Sequence, residues 1–166
     1  MLPLKSDHCY AILDDRGMTG DGVPRAGFYL HDTRHLSVWQ WDLSELVLLH
    51  QQATSATVTQ FWSRMRHHKQ ELLLKRTLTL GPSGLTERIE IQNDTGEPVT
   101  LTLELTADAD FADIFEARRH PRVAPKNAVE RDGMTMRYVA QDGITSATLI
   151  DLHGLVGQPL LSLIHI

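Results

Sequence analysis

A hairpin signal in the middle of the chain limits the fold more than any other feature. Two apolar segments with alternating polar positions, 72–80 and 85–92, flank a turn that runs from Gly81 to Gly84. Two glycines at this spacing can supply the positive φ angles that a tight connection between antiparallel strands needs. The pattern therefore predicts a β-hairpin, and the chain around it has to be compatible with a sheet.

Short apolar runs separated by turn formers continue along most of the chain. The further strand candidates are 9–13, 38–43, 46–50, 56–62, 70–80, 134–140 and 144–151. Because alternate side chains of a strand point the same way, Trp39 and Trp41 are expected to share one face. No long helical period competes with this rhythm, which is typical of a β-sandwich or an open barrel. We predict one all-β domain.

A distinctive acidic and aromatic run, Asp108–Arg119, follows directly on an alternating segment, Val99–Ala107. The alternation predicts a half-buried strand that delivers the run to the edge of a sheet. We predict a short helical turn over residues 110–119, with Asp110 as its N-cap and an acidic residue three positions later. Its apolar face would consist of Phe111, Ile114 and Phe115.

The composition narrows the class of partner. The chain has 166 residues, of which 42% are hydrophobic and 22% charged, as in a soluble globular protein. Sixteen basic residues are scattered among twenty-one acidic ones, and the net charge of -5 argues against a nucleic acid partner. Cys9 is the only cysteine, so no intrachain disulfide can form. With no signal-peptide pattern and no membrane-length apolar run, we expect a cytoplasmic location.

The acidic run also offers carboxylates for glycoside hydrolysis, which needs an acid and a base or nucleophile roughly 5–10 Å apart. The candidates are Asp108, Asp110, Asp113 and Glu116. Their spacing does not identify which of them would be the acid and which the base. Capping of backbone amides at the start of a helix would account for the same carboxylates equally well. His31 and His35 lie four apart in a strand-like context, which does not give the helical adjacency of a zinc site. We predict no metal site and no cofactor.

Asp32 and Arg34 form an unusually polar insert between apolar segments. In one interpretation Arg34 forks onto Asp32 or onto a carboxylate of the acidic run and fixes the loop to the sheet. In the other, a carbohydrate cleft shared with another domain is lined by Asp32, Arg34, Asp110 and Asp113. Trp39, Trp41 and Trp62 could likewise form a sugar-stacking platform or pack in the core, and core packing is the commoner use of such a pair.

The last six residues, 161–166, look foreign to the rest of the chain. They read Leu-Ser-Leu-Ile-His-Ile and can be reverse-translated as CTG TCT CTT ATA CAC ATC, which resembles the transposon-end sequence used as a sequencing adapter. We predict that the native gene continues beyond residue 160 and that 161–166 are an artefact. The alternative is a genuine final strand.

Several motifs in a fixed order resemble one family. They are Gly27-Phe-Tyr-x-x-Asp32-Thr-Arg34-x-Leu-Ser37, the hairpin end Glu87-Arg-Ile89, the turn Asn93–Pro98, and Asp108-x-Asp-Phe-Ala-Asp-Ile-Phe-Glu-x-Arg118. Together they resemble the N-terminal domain of bacterial glycogen debranching enzymes of the amylo-α-1,6-glucosidase type. The resemblance extends from Tyr10 to about Leu160, and two separate motifs in the right order make it specific.

The resemblance implies an antiparallel, supersandwich-like β-sandwich that precedes an (α/α)6 catalytic toroid, in an enzyme that hydrolyses α-1,6 branch linkages of glycogen-like glucans. The acid and base would belong to the toroid, and this sequence contains no run of long amphipathic helices. We therefore expect residues 1–160 to be a partial, inactive sandwich domain, incomplete at its C-terminal side. Its partners would be its own catalytic domain and, through it, the glucan. The alternatives are a free-standing carbohydrate-binding module and a small enzyme that uses the carboxylates of 108–116.

Overall fold

The computed structural model describes residues 1–20, 23, 25–118, 127–153 and 160–165, the last segment as backbone only. This part of the chain contains fourteen strands and one short helix. In chain order these are β1 Leu2–Ser6, β2 Cys9–Leu13, β3 Gly27–Leu30, β4 Thr33–Leu36, β5 Val38–Asp42, β6 Val47–Ala53, β7 Thr57–Arg66, β8 Lys69–Gly81, β9 Gly84–Asn93, β10 Glu104–Asp108, α1 Ile114–Arg118, β11 Glu130–Asp132, β12 Thr135–Val139, β13 Thr145–His153 and β14 Leu160–His165.

The strands form three antiparallel sheets. The largest has the order β11-β12-β13-β14-β9-β8-β7-β6, and the others have the orders β1-β2-β3-β4 and β10-β5. Side chains from all three sheets share one core cluster, as expected when two layers face each other. Its members include Leu4, Leu13, Phe28, Leu36 and Trp39 from the smaller sheets, and Val58, Leu78, Leu80, Leu85 and Ile150 from the large one. The predicted all-β, antiparallel, sandwich-like fold is confirmed.

The predicted central hairpin is present as β8 and β9, and Gly81 pairs with Gly84. The prediction that both glycines adopt positive φ is wrong, because neither is among the positive-φ residues. Pro82 follows Gly81 directly, and its ring fixes φ near -65°. The φ angles of the turn are therefore negative, and its backbone conformation does not require glycine at position 81 or 84.

The strand predicted over Val99–Ala107 is shorter in the structure than the alternating pattern indicates. Alternating exposure continues from Leu101 to Leu105, but hydrogen-bonded pairing begins only at Glu104, which lies opposite Asp42. The partner strand β5 ends at Asp42, whose carboxylate accepts a hydrogen bond from the Ser44 amide at 2.9 Å and turns the chain. Periodicity alone predicted the exposed and partly buried positions correctly, while the partner strand determined where the ladder starts.

The backbone of residues 160–165 forms β14, which pairs with β13 on one side and β9 on the other. Pairing does not distinguish a native strand from a foreign one, so the adapter origin of 161–166 stays a prediction. The predicted end of the helical turn at residue 119 lies outside the described residues. In the described part of the chain, no helix is long and apolar enough to cross a membrane.

Candidate functional site

Arg34 and Asp110, which belong to two of the resemblance motifs, form a bidentate ion pair. Arg34 Nε donates to Asp110 Oδ1 at 3.0 Å, and Nη2 donates to Oδ2 at 2.5 Å. The two side chains are 13% and 27% exposed, so solvent screens the pair only partly. Gly27 makes room for the aliphatic part of the Arg34 side chain, because a Cβ there would lie 2.5 Å from Arg34 Cδ. The interpretation in which Arg34 forks onto the acidic run thus describes the structure, with Asp110 as the carboxylate.

Backbone hydrogen bonds join the same two segments. The Arg34 amide donates to the Ala112 carbonyl at 2.8 Å, and the Ile114 amide donates to the Asp32 carbonyl at 2.8 Å. Thr33 and Asp113 form an isolated antiparallel bridge between them. The Asp32 and Asp113 side chains are both exposed. We call the assembly of residues 32–34 and 110–113 the Arg34 corner.

The helix that follows the corner is capped by Asp113 and not, as predicted, by Asp110. Asp113 Oδ1 accepts hydrogen bonds from the Phe115 amide at 2.7 Å and the Glu116 amide at 2.9 Å. Glu116 Oε2 accepts from the Asp113 amide at 3.0 Å, which completes a capping box. The helix starts three residues later than predicted because Phe111 has a φ of +47°, which breaks the helical path.

The predicted apolar face of this helix is also wrong. Phe111 lies before the helix and is buried, stacked on Tyr138 with ring centroids 5.8 Å apart. Phe115, inside the helix, is 69% exposed. Of the two phenylalanines in the run, therefore, only Phe111 anchors the corner to the core.

Two stacked tyrosines lie next to the corner. The rings of Tyr10 and Tyr29 are 4.5 Å apart and nearly parallel, and Tyr29 Oη donates to the Arg25 carbonyl at 3.0 Å. Burial, with a smaller effect of the neighbouring Tyr29 and Asp32, raises the pKa of Tyr10 to about 12. Burial also raises the pKa of Tyr29. Both phenols therefore stay protonated at neutral pH, and neither suits the role of a general base.

Each carboxylate of the acidic run already has a structural partner. Asp108 Oδ1 accepts from Arg131 Nη2 at 2.6 Å, while the other three take part in the ion pair and the capping box described above. General acid–base catalysis by a pair of carboxyl groups needs two that are free to meet the substrate. Asp110 thus ties the acidic run to Arg34, and Asp113 and Glu116 cap α1. Among the described residues, no group of three metal-binding side chains is found.

A second polar cluster, not predicted from the sequence, lies inside the sandwich. Arg76 of β8 and Glu87 of β9 form an ion pair through Arg76 Nε and Glu87 Oε1, and their side chains are 1% and 0% exposed. Trp39 Nε1 of the facing sheet donates to Glu87 Oε2 at 2.6 Å. Arg76 Nη1 donates to Gln60 Oε1 at 3.0 Å. We call these four residues the core polar network.

The core polar network also holds the loop after β2 in place. The Arg16 carbonyl accepts from Gln60 Nε2 at 2.7 Å and from Arg76 Nη1 at 3.3 Å. The sequence contained a usable signal for this network. Arg76 falls on the inward parity of β8 between buried leucines, and Glu87 does the same in β9. Two opposite charges on the apolar faces of one predicted hairpin indicate a buried pair, because an unpaired charge there would be very costly.

A comparison with family profiles agrees with the motifs. The profile described as the N-terminal domain of (some) glycogen debranching enzymes matches residues 4–157, which is most of the chain. The chain belongs to this family. Comparison with curated proteins gave no match, and comparison with solved structures gave none either. The match to the debranching-enzyme N-terminal domain ends at residue 157, so residues 161–166 lie outside it.

The three tryptophans of the debranching-enzyme domain belong to its core. Trp39, Trp41 and Trp62 are 0%, 6% and 2% exposed, and the first two meet edge to face with centroids 6.4 Å apart. A sugar-stacking platform needs exposed ring faces, so these residues do not provide one. The core-packing interpretation of the tryptophans therefore describes the structure. Whether Asp32, Arg34, Asp110 and Asp113 line a glucan cleft stays a prediction.

Proposed function

We propose that this chain is the non-catalytic β-sandwich module of a bacterial glycogen debranching enzyme. The parent enzyme would be a cytoplasmic glycoside hydrolase that cleaves α-1,6 branch linkages in glycogen-like glucans. Its acid and base would lie in an (α/α)6 domain that follows the sandwich in the polypeptide. In this proposal the module supports the catalytic domain and contributes exposed groups to the edge of the glucan cleft.

One observation carries the proposal. Two of the motifs that mark the family meet in space at the Arg34 corner, and every carboxylate of the acidic run takes part in an ion pair or in the helix cap. A module that belongs to a debranching-enzyme family and whose acidic residues are structurally committed fits a supporting role. A catalytic role would need an acid and a base or nucleophile that are not used to hold the fold together.

The corner offers two carboxylates to a neighbouring domain. Asp32 and Asp113 are both exposed at the Thr33–Asp113 bridge, and Asp113 caps α1 through Oδ1, which leaves Oδ2 outside the cap. Asp110, in contrast, is engaged by Arg34 through both carboxylate oxygens. Carboxylate oxygens accept hydrogen bonds from sugar hydroxyl groups. We propose that Asp32 and Asp113 are the cleft-lining pair and that Arg34 and Asp110 position the backbone that carries them.

The first test is the complete gene. The intact reading frame should encode a helical catalytic domain after the sandwich, and the full-length enzyme should release glucose from branched limit dextrins. Residues 1–160 alone should release none. A reading frame that ends within a few residues of Leu160 would disprove the proposal.

The second test addresses the cleft. In the full-length enzyme, Asp32→Asn and Asp113→Asn should raise KM for a branched glucan several-fold with little change in kcat. Asn still caps a helix, so the second variant keeps α1 intact. Asp132→Asn is the matched control, because Asp132 is an exposed carboxylate on β11. Equal KM values for all three variants would show that the corner does not touch the glucan.

A further inference from the structure

Phe115 is the one aromatic side chain that the fold leaves in solvent. The four Phe, three Tyr and three Trp of the chain all lie in its described part, and only Phe115 is classed as exposed, at 69%. The face of an aromatic ring is electron-rich, and the C–H groups of a sugar ring stack on it when it is accessible. The buried tryptophans offer no accessible face, whereas Phe115 does.

The structure holds Phe115 on a fixed backbone. Its amide donates to Asp113 Oδ1 at 2.7 Å, as part of the capping box of α1. On the other side of the same helix, Ala117 is buried in a cluster with Tyr29 and Ala112. A side chain whose backbone is already ordered loses less conformational entropy when it binds a ligand. The exposed ring is therefore preorganised for a contact.

Polar groups of both charges lie beside the ring. Asp113 and Asp32 are exposed, and the Ile114 amide donates to the Asp32 carbonyl at 2.8 Å, which places Asp32 next to the start of the helix. Arg118 is also exposed and follows Phe115 by three positions, so both lie on one side of α1. Carboxylates accept hydrogen bonds from hydroxyl groups, and a guanidinium donates to them. An aromatic face with such groups around it suits the C–H face and the hydroxyl rim of a glucosyl unit.

The same charges argue against a protein surface as the occupant. Within residues 32–34 and 110–118, Phe115 is the only exposed large apolar side chain, so this region carries no apolar patch. The centre of a protein–protein interface is depleted of charged residues. A protein that covered Phe115 would also remove the neighbouring charges from water, which is unfavourable. A glucan chain leaves them in contact with water or with hydroxyl groups.

We propose that Phe115 is a sugar-stacking residue and that its ligand is a glucosyl unit of an α-glucan chain. Asp32, Asp113 and Arg118 would form hydrogen bonds with the hydroxyl groups of that unit. The assignment rests on the proposed function, which makes a glycogen-like glucan the substrate. The 166-residue chain should then bind glucan by itself, without a catalytic domain.

Native electrophoresis through gels that contain glycogen measures this binding, because a bound glucan slows the protein. The unmodified 166-residue chain should be retarded, and free maltoheptaose should restore its mobility. Phe115→Ala and Phe115→Leu should weaken the binding about twofold to tenfold, as expected for one lost aromatic contact, whereas Phe115→Trp should retain it. The leucine variant keeps an apolar side chain but removes the aromatic face.

Leu49→Ala is the matched control. Leu49 is 54% exposed and lies on β6, five strands along the large sheet from β13, which packs on β4. None of these substitutions changes the net charge of -5, so all variants should migrate equally in a gel without glycogen.

An unmodified chain that glycogen does not slow would overturn the proposal. Unchanged binding by Phe115→Leu would overturn it as well, and so would an equal loss of binding in Leu49→Ala. If the 166-residue chain is not retarded and Phe115→Ala lowers the unfolding temperature of the full-length enzyme, the occupant is the catalytic domain instead. Debranching activity of the full-length enzyme reports on the proposed function separately. An active enzyme whose Phe115 variants bind glycogen normally rejects the stacking role alone.

Discussion

In the core polar network, the effect of the buried charges on stability can be separated from the effect of side-chain packing. Glu87→Gln leaves the Arg76 guanidinium buried without a counter-charge, and Arg76→Met leaves the Glu87 carboxylate in the same state. Both side chains are at most 1% exposed, so water cannot replace the missing partner. We expect each single variant to be strongly destabilised and the double variant, Arg76→Met with Glu87→Gln, to recover much of the loss.

The magnitudes follow from the buried geometry. Removing one member of a buried ion pair costs about 3–5 kcal/mol, because an uncompensated charge remains. The double variant has no buried charge, and its cost is limited to neutral groups around Gln60 that lose a partner, about 1–3 kcal/mol. The two single losses therefore exceed the double loss by at least about 3 kcal/mol, which is the coupling energy of the pair.

Urea denaturation followed by tryptophan fluorescence provides the assay, because Trp39 donates directly to Glu87. With a slope of about 2 kcal/mol per molar urea, each single variant should shift the midpoint down by about 1.5–2.5 M. The double variant should lie closer to the unmodified protein than either single variant. A double loss equal to the sum of the two single losses would refute the reasoning, since independent side chains give additive losses.

Three further predictions concern other parts of the fold. Burial lowers the pKa of His35 from 6.5 to about 4, so the folded state disfavours its protonation. The His35 contribution to the free energy of unfolding should be fully present above pH 6.5 and should fall by about 3 kcal/mol as the pH drops from 6.5 to 4, as measured by urea denaturation across pH. His67 and His68 form the β7–β8 turn with φ angles of +50° and +64°, and replacing them by Asn-Gly should add about 1 kcal/mol in the same assay. Arg34→Lys should cost about 1–2 kcal/mol in thermal unfolding, because a lysine cannot form the bidentate pair with Asp110.

Each of these predictions has a control. His35→Gln should remove the His35 contribution to the pH slope, and an unchanged slope would show that other groups cause it. Asn-Gly in the β7–β8 turn should raise the unfolding midpoint, and no gain would mean that the histidines are unstrained. Arg88→Lys should change little, because its ion pair with Glu90 involves side chains 51% and 35% exposed. A cost equal to that of Arg34→Lys would contradict the argument from burial.

Local patterns predicted the strands well where neighbours in sequence are also neighbours in space. The predicted strand 9–13 coincides with β2, and the hairpin of β8 and β9 follows from its turn. Trp39 and Trp41 share a buried face, as their spacing indicates. In each case a period of two and a turn former carry the information, and both are properties of a few consecutive residues.

The Arg34 corner was predictable only in outline. The motifs indicated that Arg34 would meet an acidic residue, but the choice of Asp110 depends on a contact between residues 76 positions apart. The helix start was misplaced for a different reason. Phe111 adopts a positive φ that no sequence rule assigns to phenylalanine, and this moves the cap from Asp110 to Asp113. Tertiary packing of the Phe111 ring stabilises this unusual backbone.

The order of the strands has a consequence for how the chain folds. Asp42 and Glu104 pair although they are 62 positions apart, and the meander from β6 to β9 lies between them. The pairings within the meander place Val47 of β6 and Gln92 of β9 level with each other across the sheet, three strand spacings or about 15 Å apart. Once the meander has formed, the loop that is closed by pairing β5 with β10 consists only of the connections 43–46 and 94–103. This shorter loop lowers the entropy cost of the pairing by about 1.3 kcal/mol. Pulse labelling during refolding should therefore protect the amide of Leu74 before that of Thr106, so the larger sheet acts as the template on which the smaller one assembles.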